Sequence, residues 1–192
     1  MKNGLKILLL ADSWQVTALG MIAPIYAIFV ERIGGDLLDA SWAYFAFMMS
    51  TGVTIFLISH WEDKIKHKEK LIMLGYVLTV AGAMMYIFVF NQFTLIITQI
   101  VLGLAQAIKD PAYDALYSDY LDTGKKASEW GDWESMYYVA TALAAILGGY
   151  IATVLGFRAL FVGMAIFSIF SALVCINLFR KKEYLHSKEL LR

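Results

Sequence analysis

Carboxylate and amide side chains recur inside long apolar stretches of this chain. One stretch holds Gln99, Gln106 and Asp110 at helical spacing, so the three share one stripe of a helix. An earlier stretch holds Asp12 and Gln15. A carboxylate in hydrocarbon costs on the order of 3 kcal/mol on the mildest scale, so these groups should face a cavity or other helices. Such side chains can bind a polar solute or an ion, and the sequence predicts that they line a pathway.

The two acids are open to more than one interpretation. Asp12 lies opposite no visible cation in its own helix, so it is either a hydrated acid near the membrane surface or an acid that lines a cavity. For Asp110 three interpretations are open: it takes part in the pathway, it forms a structural ion pair, or it lies at a solvated helix end. Pro111 should kink its helix, because it lacks an N–H and crowds the carbonyl of Ala107. Lys109 is expected to extend its ammonium to the cytoplasmic surface, which leaves Asp110 as the deeper group.

Six apolar segments must position these residues. Each has about 20 or more mostly apolar residues, enough to cross a hydrocarbon layer ~30 Å thick. The chain is 60% hydrophobic, with a mean hydropathy of +0.64, well above soluble domains. The sequence therefore predicts an all-α membrane protein, with one six-helix domain over residues 1–180 and a short basic cytoplasmic tail at 181–192. The predicted helices are about 5–30, 39–60, 71–91, 93–119, 134–155 and 157–179.

The basic residues set the orientation of these segments. Of the 16 Lys and Arg residues, Arg32 and Arg158 fall on one side, Lys109 lies inside segment four, and the others all fall on the opposite side. The positive-inside rule makes that richer side cytoplasmic, together with both termini. We therefore predict an integral protein of the cell membrane with both ends in the cytoplasm. The cytoplasmic basic residues are Lys2, Lys6, Lys64, Lys66, Lys68, Lys70, Lys125, Lys126, Arg180, Lys181, Lys182, Lys188 and Arg192.

Several function classes find no support in the sequence. The formal net charge is zero, which gives no reason to expect nucleic-acid binding. There is no HExxH motif, no Ser-His-Asp set and no phosphate-binding glycine loop. The three histidines, His60, His67 and His186, lie at or beyond the predicted membrane edges. We therefore expect neither an enzyme nor a bound metal or other cofactor.

Small residues recur at four-residue spacing in segments two and five. Because lipid provides no hydrophobic drive for helix association, such rows permit the close contact that holds membrane helices together. Two interpretations are open: the rows pack helices within one bundle, or they form the seam of a dimer. Segment five carries Ala144, Gly148, Ala152 and Gly156, with a second row at Thr141, Ala145, Gly149 and Thr153; segment two carries Ala43, Ala46, Ser50 and Thr54.

The loop at 59–71 resembles the loop motif of the major facilitator superfamily, G-x-L-x-D-R-x-G-R-[RK]-x-x-L. Asp63, Lys64, Lys68 and Leu71 fit this motif, with Lys in place of the first Arg, while Ser59 and Lys66 replace its glycines. Segment four is similar to the family's R-x-x-Q-G-x-G-x-A: Gly103 and Ala107 fit, and Gln99 replaces the Arg. Residues 148–161 resemble the family's GGY…lGwR.lF junction.

The resemblance implies a transporter that moves a small solute by alternating access. Lys64 or Lys68 can pair with Asp114 or Asp119 at the cytoplasmic end of segment four, and Asp63 can complement the positive dipole end of segment five. The resemblance implies that these contacts close the cytoplasmic side in one state; the alternative is a solvated basic loop that serves only topology. Because Gln99 replaces an Arg and helix five lacks the antiporter proline, no antiport mechanism is carried over.

Members of this family normally have two six-helix halves, related by an axis along the membrane normal. One half in this chain implies a homodimer, a heterodimer with another half, or a truncated fragment. The candidate residues for the dimer seam or for helix packing are Ser50, Ala144, Gly148, Gly149, Ala152 and Gly156. The interpretation is thus a half-transporter that handles a small solute, with or without a coupling ion. The alternative is a membrane scaffold or accessory subunit that transports nothing.

Overall fold

The computed structural model describes the backbone of residues 3–190 and the side chains of residues 3–178. Within this part of the chain the regular elements are all helical, and six of the spans are long and apolar enough to cross a membrane. This confirms the predicted all-α membrane fold. The helices are α1 (Asn3–Gly20), α2 (Tyr26–Arg32), α3 (Leu37–Glu62), α4 (Lys68–Tyr86), α5 (Gln92–Tyr120), α6 (Lys126–Val154) and α7 (Phe157–Leu190), with a 3-10 turn at Ala23–Ile25 between the first two.

The first span is not one continuous helix. Pro24 lies in the 3-10 turn, and α1 ends at Gly20, four residues before it. A proline has no N–H to donate, and its ring crowds the carbonyl four residues earlier. For Pro24 that carbonyl belongs to Gly20, which is the last residue of α1. Irregular backbone at membrane depth must be covered by protein. Gly148 of α6 provides that cover, since it packs directly on the backbone of Met21.

Pro111 has a different effect from Pro24. Helix α5 continues through Pro111 without interruption from Gln92 to Tyr120. Its first turn is fixed by a capping box, in which the side chain of Asn91 accepts a hydrogen bond from the Thr94 N–H. A helix so anchored, with tight neighbours on two sides, can tolerate the one hydrogen bond that proline removes.

Several helices extend beyond the predicted segments. Segment five was placed at 134–155, but α6 begins at Lys126. Segment six was placed at 157–179, but the backbone of α7 stays helical to Leu190. Hydropathy identifies only the part of a helix that dissolves in lipid, so a charged helical extension escapes it. The side chains of the predicted tail at 181–192 lie outside the described part of the chain.

The helices pack in an order that leaves two of them at the margin. Helix α5 packs on α3 and α4, while α1 packs on α6 and α7 and α4 packs on α7. In the most apolar window of each span, only 6% of the residues of α3 and 11% of those of α6 are buried, against 39% to 50% elsewhere. Helices α3 and α6 therefore flank the bundle and leave one face of it open.

Two apolar clusters hold the bundle together, one toward each end. The first surrounds Met21, Phe29 and Phe161. The rings of Phe29 and Phe161 meet edge to face, with their centroids 4.8 Å apart. The second surrounds Leu5 and Tyr117 at the end where the described chain begins. Polar groups singled out in the sequence contact both clusters: Gln99 bonds Tyr86 of the first, and Asp12 bonds Tyr76 of the second.

Candidate functional site

A buried ion pair joins four helices at the centre of the candidate site. The Asp12 side chain in α1 is 2% exposed, and its Oδ1 lies 3.0 Å from the Lys109 Nζ of α5. The Trp133 Nε1 of α6 donates to Oδ2 at 3.0 Å, and the Tyr76 hydroxyl of α4 donates to Oδ1 at 3.4 Å. A buried carboxylate requires such partners. Asp12 is therefore a buried acid with a cation, and not a hydrated surface group.

The prediction that Lys109 extends to the surface is wrong. Its side chain is 14% exposed and also contacts the Asp110 Oδ1 at 3.2 Å, whereas Asp110 itself is 34% exposed. The ammonium lies over the rings of Tyr76 and Tyr113, 5.7 and 5.5 Å from their centroids. Two carboxylates and two aromatic faces hold it inside the bundle. Lys109, and not Asp110, is the deeper of the two neighbours.

A cavity of about 400 Å³ lies beside this ion pair. The predicted pathway residues Gln15 and Gln106 line it together with Lys109. Gln15 is 3% exposed, and its Oε1 has no hydrogen-bond partner among the described residues. Helices α3, α4 and α6 also contribute to the wall, beyond the two segments that the sequence favoured: Tyr44, Phe47, Met48, Thr79, Tyr137 and Thr141.

A second cavity of about 270 Å³ adjoins the first and shares several of its lining residues. Gln99, the third predicted amide, lines this one. Its Nε2 donates to the hydroxyls of Tyr26 at 2.8 Å and Tyr86 at 3.0 Å. Gln106 and Gln99 of the α5 stripe thus line two adjoining cavities. Gln99 is already satisfied by protein groups, and the Oε1 of Gln15 is not.

The residues of the predicted cytoplasmic latch form no salt bridge with one another in the described range. Asp63 follows the last residue of α3, and Lys64 lies in the exposed loop after it. Asp114 and Asp119 are exposed on α5. In the described range, no salt bridge joins either acid to Lys64 or to Lys68.

The small residues of segments two and five divide between two environments. Ser50 lies against Gly103 of α5, and Ala144 and Gly148 pack on the end of the first helix. These three fit the interpretation of packing within one bundle. Ala152 lies against the first apolar cluster, and Gly156 has a φ of +84° in the turn before α7, which favours glycine. Gly149 faces open space, because an added Cβ there would meet nothing within 4 Å. It stays a candidate for the dimer seam.

Sequence reasoning missed three partners of Asp12. Lys109 was assigned to the surface, Tyr76 was not singled out, and Trp133 lies just before the predicted start of segment five. No local pattern connects these residues, because each comes from a different helix. The one available signal was electrostatic: an apolar segment with an acid and another with a base must pair them or hydrate both.

Comparison with known proteins gives two findings. The family model described as "Major Facilitator Superfamily" matches residues 11–190. The chain is also similar to a Bacillus subtilis (strain 168) protein described as "Uncharacterized MFS-type transporter YitZ", with 23% identity over 161 residues. That alignment covers 83% of this chain and 97% of the relative, so the two proteins have similar lengths.

Proposed function

Because the chain belongs to the Major Facilitator Superfamily of membrane transporters, we propose that it moves a small solute across the cell membrane by alternating access. Two six-helix chains form the transporter, with all four termini in the cytoplasm. The observation that carries this proposal is the cavity inside the bundle, whose wall includes Lys109 and two amides as well as residues of the two least buried helices. Gln15, Gln99 and Gln106 bind the solute, and Asp12 and Asp110 are the candidate groups for a coupling ion.

The open face of the bundle supports a second six-helix unit. Tyr44 and Met48 of α3 and Tyr137 of α6 line the cavity and are also largely exposed. A cavity that contains an ammonium and amide groups cannot open onto hydrocarbon, where unsatisfied polar groups cost several kcal/mol each. Protein must therefore cover the rim, and a second copy of this chain is the occupant that we propose. The similar length of the Bacillus subtilis relative is consistent with a chain of this size.

The two flanking helices have complementary surfaces. The free face of α3 is bulky, with Trp42, Phe45 and Met49 each about half exposed. The small row of α6 that includes Ala145 and Gly149 is half-buried and lies beside the exposed Ile146 and Tyr150. In a two-fold dimer, α3 of each chain can pack its bulky residues against the small row of the partner's α6.

Disulfide cross-linking tests this dimer. Met49 lies twelve residues from the start of α3 and Ala142 twelve from the end of α6, so both lie about 18 Å from the same end of the bundle. A double variant that carries Met49→Cys and Ala142→Cys, in a Cys175→Ala background, is oxidised in native membranes. It should form a cross-linked product of twice the chain mass. Gly148 and Ser50, which the sequence named as candidates for the dimer seam, pack against other helices of the same chain and are unsuitable for cross-linking.

The matched control for cross-linking uses Leu74→Cys and Leu173→Cys, which are exposed on the other helices. They should give no product under the same oxidation. A cross-linked product that contains a different protein would show that the partner is another chain, and would contradict the homodimer. A chain that gives no product and stays monomeric by light scattering would contradict two-chain assembly.

Labelling from both sides of the membrane tests alternating access without knowledge of the solute. Gln106→Cys lies in the cavity wall, so a membrane-impermeant thiol reagent should modify it in both right-side-out and inverted vesicles. Alternation exposes the same cavity to each side in turn. Lys64→Cys should react from the cytoplasmic side alone, and Leu37→Cys from the outside alone. Modification of Gln106→Cys from one side only would contradict the proposal.

The same residues bear on the cytoplasmic latch. We propose that Lys64 and Lys68 pair with Asp114 and Asp119, and that Asp63 approaches the first turn of α6, only when the cavity faces outward. The absence of a salt bridge between these lysines and acids in the described range is consistent with a state in which this contact is broken. The latch would then be a contact of one state of the cycle.

A further inference from the structure

We propose that the solute is an uncharged molecule with an apolar body and a hydrogen-bond donor, and that Gln15 selects it by accepting that hydrogen bond. This inference rests on the proposed function, because it assigns a substrate class to the same cavity. It is carried by the unpartnered amide oxygen of Gln15 and by the composition of the cavity wall.

Gln15 is a buried residue of the cavity wall whose hydrogen bonding is incomplete. It lines the cavity of about 400 Å³ and is 3% exposed. Within the described part of the chain, its Oε1 has no hydrogen-bond partner. A buried acceptor that has lost water and gained no donor raises the free energy of the folded state. A ligand that donates a hydrogen bond to Oε1 would relieve this.

The amide of Gln99 shows the contrasting arrangement. Its Nε2 donates to the hydroxyls of Tyr26 and Tyr86, at 2.8 and 3.0 Å, which hold that amide in place. No hydrogen bond to another described residue holds the amide of Gln15 in the same way. The terminal torsion of a glutamine side chain is broad, so this amide can turn its oxygen onto a ligand in the cavity.

The cavity wall provides no unengaged charge to an entering ligand. Lys109 is the one acidic or basic side chain among the described wall residues. Its Nζ already contacts a carboxyl oxygen of Asp12 at 3.0 Å and one of Asp110 at 3.2 Å, and neither acid lines the cavity. A cation would find no carboxylate in the wall, and an anion would have to compete with two acids for Lys109. Because a buried charge requires a partner, the wall favours an uncharged solute.

The rest of the wall suits an apolar body. Small-molecule sites are lined mainly by apolar and aromatic groups, with a few polar groups that fix the orientation of the ligand. The cavity has this composition, and its volume of about 400 Å³ is within the usual range of such sites. The apolar residues that share the wall with Gln15 are Val16, Leu19, Phe47, Met48 and Leu102.

A pair of isomers tests the requirement for a donor. Phenylbutanol and methyl phenylpropyl ether have the same formula and chain length, but only the alcohol has an O–H. Each is titrated at neutral pH into the full chain in lipid nanodiscs, and the heat from empty nanodiscs is subtracted. The alcohol is expected to bind at least about tenfold more tightly, because only the alcohol can donate to the Gln15 oxygen. Equal binding of the two isomers would overturn the inference.

Two ions with the same apolar body test the requirement for zero charge. Phenylbutylammonium and phenylbutanoate are titrated in the same way. Each is expected to bind at least about tenfold more weakly than phenylbutanol, because neither finds an unengaged partner for its charge in the wall. Binding of either ion as tightly as the alcohol would overturn the assignment of an uncharged solute.

Substitution of Gln15 tests whether this residue makes the selection. Gln15→Leu keeps a side chain of similar size without the amide, so the two isomers should bind within about twofold of each other, with the affinity of the ether retained. A purely structural role of Gln15 would lower both affinities together and leave their ratio unchanged. Gln15→Met, which keeps the unbranched shape, provides the same test if Gln15→Leu does not fold.

The control for these variants lies outside the cavity. Gly131 is exposed and is not part of the wall, so Gly131→Ala should keep the preference of about tenfold for the alcohol. If the Gln15 variants keep that preference as well, Gln15 is not the residue that selects the solute.

The outcomes separate this inference from the proposed function. If the isomers bind equally, or if no probe binds, the assignment of the solute is wrong. Labelling of Gln106→Cys from both sides would then still support transport of a different solute. If that label enters from one side only, the proposed function fails independently of the probe affinities.

Discussion

Replacing Lys109 with methionine is expected to lower the free energy of unfolding by about 3–5 kcal/mol. Methionine keeps an unbranched apolar stem but removes the ammonium. Asp12 would then stay buried with only the hydrogen bonds from Trp133 and Tyr76. A buried carboxylate without its cation is among the most unfavourable changes that a single substitution can make. Thermal unfolding of the purified protein in mild detergent, followed by circular dichroism, measures the effect.

Two comparisons isolate the ion pair as the cause. Lys64→Met, in the exposed loop, should change the stability by less than about 0.5 kcal/mol. The double variant Lys109→Met with Asp12→Asn should recover much of the loss, because a neutral amide can still accept the hydrogen bond from Trp133. If Lys109→Met unfolds like Lys64→Met, or if the double variant is no more stable than the single, the pair does not hold these helices together.

Gly148→Ala is expected to destabilise the bundle by about 3 kcal/mol, at the upper end of the usual cost of overpacking. The added methyl would overlap the Met21 carbonyl oxygen and would lie 2.7 Å from the Met21 Cα. These are backbone atoms at the break in the first span, so no side chain can rotate away to make room. Helix α6 would have to move off the segment that it covers. The same thermal unfolding experiment measures the loss.

The matched control lies in the same helix. Gly131 is exposed, and a Cβ there would meet nothing within 4 Å. Gly131→Ala should therefore be neutral or stabilise the protein by up to about 1 kcal/mol, through the better helix propensity of alanine. Equal stability of the Gly148 and Gly131 variants would mean that α6 does not pack on Met21 as described.

The spans and their number could be predicted from the sequence because a membrane imposes simple conditions. A helix must contain enough apolar residues to cross the lipid, and this condition is local along the chain. The placement of Gln15 and Gln106 on the cavity wall also follows from local spacing, since a polar stripe cannot face lipid. These features do not depend on which helices are neighbours.

The pairing of Lys109 with Asp12 could not be predicted in the same way. The two residues are 97 positions apart, and only the packing of α1 on α5 brings them together. Spacing also failed to distinguish Gly148 from Gly149. Adjacent residues of a helix point in directions about 100° apart. Here Gly148 faces the backbone of Met21, whereas Gly149 faces open space.

The hydrogen bond between Trp133 and Asp12 gives the protein a built-in optical reporter. Indole emission depends on the polarity and charge around the ring, so any ligand or proton that takes Asp12 away from Trp133 should change the fluorescence spectrum. The difference between the parent chain and a Trp133→Phe variant would isolate this signal from the other four tryptophans. Occupancy of the ion pair could then be followed in real time, without a labelled solute.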